Sequence, residues 1–468
     1  MSFPTDRPRE ACGIVGAYLP GEDAARTAYF ALHALQQRGQ ESAGIATSDG
    51  SQIKSRTAMG LITQAFNEED LIVLPGHLGI GHARYSTTGR STIENSQPIF
   101  SNGSGVEIAL AHNGNIVNAR ALRSELEDWG ATFKTTSDSE IIAHLMTHAP
   151  APTLEERIVY AMGRLEGAYS LTVMTEDTVY GIRDPMGVRP LCIGKLNGGW
   201  VIASETCALD QIDAEFIRDI HPGEVVAIDA DGLRSVSRRM SDGIRAPCIF
   251  EHIYMARADS VIENRLVYNS RKAMGEELAR EHPADADMVI GVPDSGIPAA
   301  VGYAEESGIP FEEGLIKNRY VVRTFIMPDQ RLRDMGARMK YNPLIENIKG
   351  KRLVVVDDSI VRGTTQAQLV AMLRRGGASE VHLRIASPPI KHPCYLGVDF
   401  PTREELLASN RDISEIPEVV GADSLGYLST DGLLRAIGTV EDRNCMACFT
   451  GNQPIPVQLE MDKLAFEN

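Results

Sequence analysis

The segment that most constrains the fold is an apolar run, Leu353–Val356, that ends in two acids, Asp357 and Asp358. A polar turn containing Gly363 follows, and residues 364–375 have the pattern of a helix. This order of strand, turn and helix places the acids at the carboxyl end of a central strand, where open α/β sheets bind ligands. The segment therefore predicts an α/β unit with a ligand site at these acids.

Strands and helices alternate on both sides of this segment. A helical pattern at 271–280 precedes the strand-like run Met288–Val292, and a third strand-like run, Val381–Ala386, follows the helix at 364–375. Alternation of this kind predicts a doubly wound parallel sheet. Between the first two strands, residues 317–343 are rich in charge and poor in periodicity, which predicts a long mobile loop.

The first half has a different pattern, in which several short strands mix with helices. The strand-like runs are Cys12–Tyr18, Leu78–Tyr85, Glu107–His112 and Ala168–Thr175, and the helical patterns lie at 23–37, 118–129, 138–148 and 154–165. Two of these helices begin with capping-box signals, Ser137-x-x-Glu140 and Thr153-x-x-Glu156. This mixture predicts an α+β domain of layered sheets. With 468 residues the chain is too long for one ordinary domain. We expect one domain at 12–245 and a second at 246–468, with the boundary between 230 and 250.

The composition restricts what this chain binds. The formal net charge is −17 and the pI is about 5.2, which argues against nonspecific binding to nucleic acid or to an anionic membrane. The chain has no apolar run of about 18 residues that could cross a bilayer, and residues 1–11 lack the apolar core of a signal peptide. We therefore expect a cytoplasmic protein with reduced cysteines, where clustered cysteines more often bind metal or catalyse than form disulfides.

Five short motifs follow one another in the first half: Ala11–Gly16, Gln37–Gly44, Gly81–Thr87, Ala111–Asn115 and Ser137–Glu140. Cys12, in the first motif, would alone be read as an ordinary buried cysteine. Together the motifs resemble the glutaminase domain of the N-terminal-nucleophile (Ntn), or class II, amidotransferases over about residues 12–240. The resemblance implies an Ntn-hydrolase fold of layered antiparallel sheets that hydrolyses the side-chain amide of glutamine.

Amide hydrolysis needs a nucleophile with a base close by. If Cys12 were the first residue, its own α-amine, with a pKa of about 8, would suit proton exchange with a thiol of pKa about 8.5. In this chain that amine is part of the Ala11–Cys12 peptide bond, and removal of Met1 alone would not free it. The resemblance therefore implies that residues 1–11 are a propeptide that is cleaved to expose Cys12. The alternative is a disordered, tag-like end.

The resemblance also implies roles for other motif residues. The Asn113 side chain and the Gly114 backbone N–H would form an oxyanion hole, although Asn-Gly is also a common hairpin turn. Arg84 would pair with the α-carboxylate of glutamine. Asp138 would pair with the α-ammonium, although an acid at this position also favours the start of a helix. Arg38 would belong to a loop that closes over glutamine.

The segment that ends at Thr365 resembles the phosphoribosyl pyrophosphate (PRPP) signature of the type I phosphoribosyltransferases. The resemblance implies that Asp357 and Asp358 hold the ribose hydroxyls, or Mg²⁺ bound to them. The following helix can bind a phosphate through its amino-terminal N–H groups. Neither G-x-G-x-x-G nor G-x-x-x-x-G-K-[ST] occurs, so dinucleotide and P-loop binding are not supported. The residues that would cradle the 5′-phosphate are Ser359, Arg362, Gly363, Thr364 and Thr365.

Two further segments match the same family. The turn Val292–Ile297 corresponds to its pyrophosphate loop, in which the residues that would contact PRPP are Asp294, Ser295 and Gly296. Ser295 would also ligate the one Mg²⁺ per subunit that the resemblance implies, together with Asp357 and Asp358. The loop at 317–343 carries seven cations, among them Lys340. The position of this loop in the order of motifs matches that of a flexible loop of the family, which folds over PRPP and excludes water. The ordinary alternative is that these cations lie on a surface that faces solvent.

Four cysteines outside these motifs have partial metal-site spacing. Cys445-x-x-Cys448 is a metal-type pair, while Cys248 and Cys394 are distant single residues that each follow a proline. Spacing alone gives only a pair and two singles. Amidotransferases of the branch that carries a propeptide often hold a [4Fe–4S] cluster, so the resemblance implies one such cluster per subunit, bound by all four cysteines. Tetrahedral Zn²⁺ is the alternative.

The two halves together resemble the glutamine PRPP amidotransferases, or amidophosphoribosyltransferases, and in particular their propeptide-bearing iron–sulfur branch. This family implies that ammonia released from glutamine at Cys12 passes to PRPP, giving 5-phosphoribosylamine, pyrophosphate and glutamate in the first step of de novo purine (IMP) biosynthesis. It also implies feedback inhibition by purine nucleotides and a homotetramer or homodimer. Two alternatives stay open: another class II glutamine amidotransferase, and a non-catalytic iron–sulfur or nucleotide sensor on this scaffold.

Overall fold

The computed structural model describes residues 12–86, 89–238, 245–318, 340–398, 400 and 402–456. The predicted propeptide at 1–11 and the middle of the predicted mobile loop, 319–339, lie outside these residues. None of the helices in the described part of the chain has the length and apolar character needed to cross a membrane. The first half of the structure is residues 12–238, and the second half is residues 245–456.

Two antiparallel sheets form the framework of the first half. One sheet has seven strands, in the order Glu215–Asp219, Cys192–Leu196, Gly199–Ala203, Gly13–Tyr18, Leu78–Arg84, Ser42–Ser48 and Ile53–Met59. The other has six, in the order Gly232–Arg238, Glu224–Asp229, Val179–Arg183, Gly167–Met174, Val106–Ile116 and Ile99–Gly103. The α-helices are Ala24–Ala34, Ile62–Ala65, Glu68–Ile72, Ala119–Asp128, Asp138–His148, Leu154–Arg164 and Thr206–Asp210.

The two sheets pack face to face because each presents a row of apolar side chains to the other. Ile14 and Ile80 of the seven-stranded sheet share one core with Ala109 and Val226 of the six-stranded sheet. The first long helix covers the outer face of the seven-stranded sheet, and the three helices between residues 119 and 164 cover the outer face of the other. The predicted α+β fold of layered antiparallel sheets is confirmed.

One strand is longer than predicted, and it carries the Asn-Gly pair of the fourth motif. The predicted strand ends before Asn113, whereas the observed strand is Val106–Ile116 and pairs with Gly167–Met174 through both residues of the pair. The alternative of a hairpin turn is therefore wrong. Gly114 has a φ of 152°, and a Cβ atom there would lie 1.9 Å from the carbonyl oxygen of Ala168. Glycine is required because the neighbouring backbone approaches too closely for any side chain.

A four-stranded parallel sheet forms the centre of the second half. Its strands follow the order Met288–Gly291, Arg352–Asp357, Glu380–Ile385 and Ser424–Tyr427. The α-helices among its described residues are Val267–Glu281, Ile297–Ser307, Ile345–Ile348, Thr364–Arg375, Leu407–Asn410, Ile416–Val420, Thr430–Ile437 and Ala447–Thr450. Two-stranded pairs are formed by Val261–Ile262 with Arg265–Leu266 and by Leu315–Lys317 with Tyr341–Pro343. A single π-type turn, Glu251–Met255, precedes this sheet.

Both faces of the parallel sheet are covered by helices. Val354 and Val356 share a core with helices Val267–Glu281 and Ile297–Ser307. The alternate residues of the same strand belong to a second core, which includes the helix Thr364–Arg375. This arrangement confirms the predicted α/β half and its central strand.

Candidate active sites

A pocket in the first half brings together four of the predicted site residues. Cys12, Arg84, Gly114 and Asp138 all line it. They come from three strand ends and from the first turn of the helix Asp138–His148. The antiparallel sheets thus place at one point residues that the chain separates widely.

Cys12 lies immediately before the strand Gly13–Tyr18 and is buried. Its Sγ donates to the carbonyl oxygen of Tyr85 at 3.2 Å and accepts from the N–H of Tyr85 at 3.4 Å. Burial raises the pKa of the thiol to about 11, and the Tyr85 backbone and the charge of Arg84 oppose this rise. In a chain that retains the Ala11–Cys12 bond, the thiol is therefore protonated at neutral pH.

Asn113 is fully buried next to Gly114 in the chain, and it has an unusual side chain. Neither its Oδ1 nor its Nδ2 has a hydrogen-bond partner among the described residues. A buried amide without partners costs about 1–3 kcal/mol, so each such group needs a physical reason. Asn113 does not itself line the pocket, whereas its neighbour Gly114 does.

The pocket carries one buried cation and one buried anion. Arg84 donates from Nη1 to the carbonyl oxygen of Arg90 at 3.2 Å, and its guanidinium lies 3.9 Å from the Glu41 carboxylate. Asp138 accepts the N–H of Ile116 at 3.1 Å. An opposite charge on each of two lining residues suits the α-carboxylate and α-ammonium of a free amino acid.

Three further lining residues support the pocket through one hydrogen-bond network. The Oε1 of Gln97 accepts the backbone N–H of His112 at 2.7 Å, and its Nε2 donates to Ser139 Oγ at 2.9 Å. The His112 Nδ1 lies 3.1 Å from the same hydroxyl, and burial lowers the pKa of this histidine. His112 and Ser139 stand inside two of the five sequence motifs, whereas no sequence signal pointed to Gln97.

The position of Arg38 differs from the prediction that it belongs to a loop closing over glutamine. Its side chain is fully buried and does not line the pocket. The guanidinium pairs with Glu205 at 2.6 Å and with Glu251 at 2.8 Å, and Nε donates to the carbonyl oxygen of Cys12 at 3.1 Å. These contacts place Arg38 against the backbone of Cys12 and between two buried carboxylates.

The second half brings the two predicted PRPP segments together at one edge of the parallel sheet. The strand ending at Gly291 pairs in parallel with the strand ending at Asp357, so the loops after them are neighbours. The Oγ of Ser295 donates to the Asp358 carboxylate, and Ser359 Oγ donates to the same carboxylate at 2.6 Å. Gln366 Nε2 donates to Asp357 at 3.2 Å; this glutamine was not predicted.

The predicted phosphate cradle lies at the start of the helix Thr364–Arg375. Gly363 has a φ of 81°, and a Cβ atom there would lie 2.5 Å from the Leu407 side chain. Thr364 is exposed and Thr365 is half-buried. Arg362 pairs with Glu405 at 3.1 Å. The cradle is therefore open to solvent at its amino-terminal turn.

The ends of the predicted mobile loop pack beside the pyrophosphate loop. Lys317 pairs with Asp294, and Tyr341 donates its hydroxyl to the carbonyl oxygen of Pro293 at 3.1 Å. The ammonium of Lys340 lies 5.6 Å from the centre of the Tyr341 ring. Gly296 ends this turn, directly before the helix Ile297–Ser307.

The four outlying cysteines converge at the junction of the two halves. Cys248 and Cys445 pair as a parallel β-bridge, and Cys448 interacts electrostatically with Cys248, Cys394 and Cys445. No three His, Cys, Asp or Glu side chains in the described ranges are close enough to hold one metal ion. Four thiolates are a donor set that either a [4Fe–4S] cluster or a Zn²⁺ ion takes.

Comparison with known proteins agrees with both halves. A family model described as a glutamine amidotransferase domain matches residues 82–211. The amidophosphoribosyltransferase of Mycobacterium tuberculosis (strain CDC 1551 / Oshkosh) is 52% identical over 465 residues, which cover 97% of this chain and 88% of the relative. The amidophosphoribosyltransferase of Archaeoglobus fulgidus is 51% identical over 454 residues, which cover 95% and 98%.

Two solved structures share the complete fold. One is described as the allosteric regulatory enzyme of purine biosynthesis, with a TM-score of 0.91, 46% identity and coverage of 96% of this chain and 97% of the other. The second is glutamine PRPP amidotransferase from B. subtilis complexed with ADP and GMP, with a TM-score of 0.90, 45% identity and coverage of 96% and 99%. Because these similarities span nearly the whole length of the chain, it belongs to the amidophosphoribosyltransferase family, the enzymes of the first step of purine biosynthesis.

Proposed function

We propose that Cys12 is the nucleophile that hydrolyses glutamine, and that the ammonia it releases reacts with PRPP bound at the second site to give 5-phosphoribosylamine, pyrophosphate and glutamate. The observation that carries this proposal is the pocket itself. It joins a buried thiol to a cation, Arg84, and an anion, Asp138, of the kind that a free amino acid requires. No residue of the predicted PRPP site lines it, so glutamine and PRPP occupy separate sites.

The reaction at Cys12 requires a base, and the described pocket supplies none within hydrogen-bond distance of Sγ apart from backbone groups. Cleavage of the Ala11–Cys12 bond would provide the α-amine as that base. We propose that residues 1–11 are a propeptide, that 12–245 form the glutaminase domain and that 246–468 form the phosphoribosyltransferase domain. The high pKa of the thiol agrees with this order of events, because it keeps Cys12 unreactive until the amine is free.

Attack of the thiolate on the glutamine amide creates a negatively charged oxygen atom. The Nδ2 of Asn113 and the N–H of Gly114 would donate to this oxygen. Support comes from the buried Asn113 amide, whose Oδ1 and Nδ2 have no hydrogen-bond partner among the described residues. Arg84 and Asp138 would hold the two charged groups of the amino acid and thereby orient its amide toward Cys12.

At the second site, Asp357 and Asp358 would bind the ribose hydroxyls of PRPP, and with Ser295 they would hold one Mg²⁺. When bound, Mg²⁺ would neutralise charge on the pyrophosphate leaving group. Carboxylate and hydroxyl oxygens are the ligands that this ion prefers. The amino-terminal turn that begins at Thr364 would bind the 5′-phosphate through backbone N–H groups. The remaining residues that would contact PRPP are Asp294, Gly296, Ser359, Arg362, Gly363, Thr365 and Lys340.

The four converging cysteines would hold one [4Fe–4S] cluster that joins the two halves. Cys248 follows the first half, whereas Cys445 and Cys448 lie near the end of the described chain, so a cluster would tie distant segments together. Iron and sulfide analysis of protein purified without oxygen tests this proposal. About four irons per chain and a brown colour are expected. Stoichiometric zinc in colourless protein would contradict it.

Purine nucleotides are proposed as feedback inhibitors. Support comes from the B. subtilis relative, whose structure is described as a complex with ADP and GMP. The homotetramer or homodimer expected from the sequence, and the reducing cytoplasm, stay predictions. Sedimentation of the purified protein with and without nucleotide would measure both assembly and its response to the ligand.

The central test is an assay with two nitrogen donors combined with identification of the first residue. Purified protein that begins at Cys12 should form pyrophosphate from PRPP·Mg²⁺ with either glutamine or ammonia, and glutamate only in the first case. Fully active protein whose intact mass still includes residues 1–11 would refute the propeptide proposal. With glutamine as the only nitrogen donor, pyrophosphate release without any glutamate would refute the assignment of the first site.

A further inference from the structure

Four buried charged side chains meet behind Cys12, and we call them the junction charges. They are Arg38, Arg189 and Glu205 of the first half and Glu251 of the second half. Each is at most 2% exposed. Glu251 is the only member that comes from beyond residue 245, so the group is complete only when both halves are present.

Glu251 holds two arginines at once. Its carboxylate accepts from Arg38 Nη2 at 2.8 Å and Nη1 at 3.0 Å, and from Arg189 Nη1 at 3.2 Å. The pairing with Arg38 uses two parallel N–H donors, which sets the plane of the guanidinium as well as its position. Glu205 accepts a further hydrogen bond from Arg38 Nη1 at 2.6 Å.

The plane of Arg38 determines where its third nitrogen points. Nε donates to the backbone carbonyl oxygen of Cys12 at 3.1 Å. The backbone of Cys12 carries both the thiol and, in the proposed mature protein, the amine. Rotation of the Arg38 plane would therefore move the nucleophile and its base together.

The second half also holds Glu251 in place from behind. Glu251 belongs to the turn Glu251–Met255. Arg271 donates from Nε to the carbonyl oxygen of His252 at 2.9 Å and from Nη2 to that of Ala256 at 2.7 Å. Arg271 lies in the helix Val267–Glu281, which packs on the parallel sheet. The position of Glu251 is thus set by the fold that carries the PRPP site.

We propose that Glu251 is a positioning residue for glutamine hydrolysis, acting from the second half through Arg38 on the backbone of Cys12. This inference rests on the proposed role of Cys12. It means that the glutaminase site is incomplete within the first half, because Arg38 and Arg189 would be left with Glu205 as the single anion among the junction charges.

The alternative is that Glu251 only stabilises the fold through its ion pairs. Removing the charge of Glu251 distinguishes this role from a positioning role. The junction charges are two cations and two anions, so Glu251→Gln leaves one uncompensated positive charge close to Cys12. Positive charge favours the neutral form of the Cys12 amine. Arg84, Glu41 and Asp138, the charged groups that act on the Cys12 thiol, stay unchanged in this variant.

The test compares Glu251→Gln with the matched variant Glu224→Gln in the full-length, processed enzyme. Glu224 is also buried and binds Arg218 through two contacts of 2.7 and 2.8 Å, away from the pocket. For Glu251→Gln, kcat for glutamine hydrolysis should fall about 10- to 100-fold with a smaller change in KM. The acidic limb of the kcat/KM profile should move to lower pH by about one unit. Glu224→Gln should do neither.

A second variant, Arg38→Lys, separates geometry from charge. Lysine keeps the net charge but lacks the planar donors, so kcat should fall while the pH profile stays in place. Ammonia-dependent synthesis in the same samples reports whether the second half is folded. Unchanged kcat and pH profile in folded Glu251→Gln, or a wild-type kcat in Arg38→Lys, would overturn the inference. Glutaminase activity that survives Cys12→Ala would instead refute the proposed function.

Discussion

The two candidate sites of this chain differ in how enclosed they are and in how their polar groups are paired. The pocket at Cys12 is closed in by buried residues, and beside its lining residue Gly114 the buried Asn113 side chain has no hydrogen-bond partner among the described residues. The site at the edge of the parallel sheet is open, and most of its carboxylates already pair with protein groups, as in the pairs Ser295–Asp358 and Lys317–Asp294, while Gln366 Oε1 is its one buried oxygen atom without a partner among the described residues.

The difference follows from the charge of the ligands that the two sites are proposed to bind. A free amino acid is small and neutral overall, so a rigid pocket with one cation and one anion can be formed in advance. PRPP with Mg²⁺ is large and highly charged, so its groups must replace contacts that the protein makes with itself. We infer that the first site binds by filling unpaired groups and the second by exchanging partners.

The largest effect should come from Cys12→Ala, which separates the two sites completely. Glutamine-dependent synthesis should be abolished because the nucleophile is gone, while ammonia-dependent synthesis should persist because the second site is intact. Pyrophosphate release with each nitrogen donor measures both. Cys192→Ala, which removes another buried thiol of the same half, is the control and should retain both reactions. Loss of both reactions in folded Cys12→Ala protein would mean that the sites are not separable.

Asp358→Asn should have the next largest effect, and it should affect both nitrogen donors. Loss of one charged ligand for Mg²⁺ and PRPP removes several kcal/mol of stabilisation, or about 10³-fold in rate. Asp287→Asn is the control, since Asp287 pairs with Arg352 near the surface at 2.9 Å and such pairs contribute at most about 1 kcal/mol. A loss confined to the glutamine reaction would contradict the placement of PRPP at this edge.

Asn113→Ala should lower kcat for glutamine hydrolysis by about 10²- to 10³-fold, the effect of removing one oxyanion donor. Its melting temperature should change little, because the side chain has no hydrogen bond to lose. Asn118→Ala is the control, for which the opposite result is expected. Asn118 donates to Arg164 and accepts from Glu166, so activity should be kept and stability lowered by about 1 kcal/mol. Equal activities for the two variants would remove the oxyanion assignment.

The smallest effect concerns the reactivity of Cys12 before processing. With a thiol pKa of about 11, compared with about 8.5 for a free cysteine, iodoacetamide should modify Cys12 at pH 7 about 10²-fold more slowly than in unfolded protein. The rate should rise tenfold per pH unit up to the thiol pKa, because only the thiolate reacts. Peptide mass analysis of chains that retain residues 1–11 measures this rate. A rate equal to that of the unfolded control would contradict the prediction that burial makes Cys12 unreactive.

Several elements were predictable because their signals are local. The helix predicted at 154–165 is observed at Leu154–Arg164, and its first turn has the predicted capping box between Thr153 and Glu156. The predicted box between Ser137 and Glu140 was wrong: Glu140 instead accepts N–H groups of the preceding turn. A capping residue competes with any nearby donor, and the sequence does not show which donor is closer.

The role of Arg38 could not be predicted, because its partners are remote in the chain. Glu205 and Glu251 lie 167 and 213 residues away, and no periodicity marks either one. The strand Val106–Ile116 was also predicted too short, since an Asn-Gly pair is an ordinary turn signal. Only the closely approaching backbone at Ala168 explains why glycine stands within that strand.

By itself, the sequence determined the two classes of sheet, the acids that end the central strand and the order of the motifs, because hydrophobic periodicity and turn chemistry act over a few residues. Tertiary structure decided which distant residues meet. It brought Glu251 to the back of Cys12, left the Asn113 amide unpaired and gathered four cysteines that spacing alone divides into a pair and two singles. Contacts of this kind depend on how layers pack, and no local pattern in the chain encodes that packing.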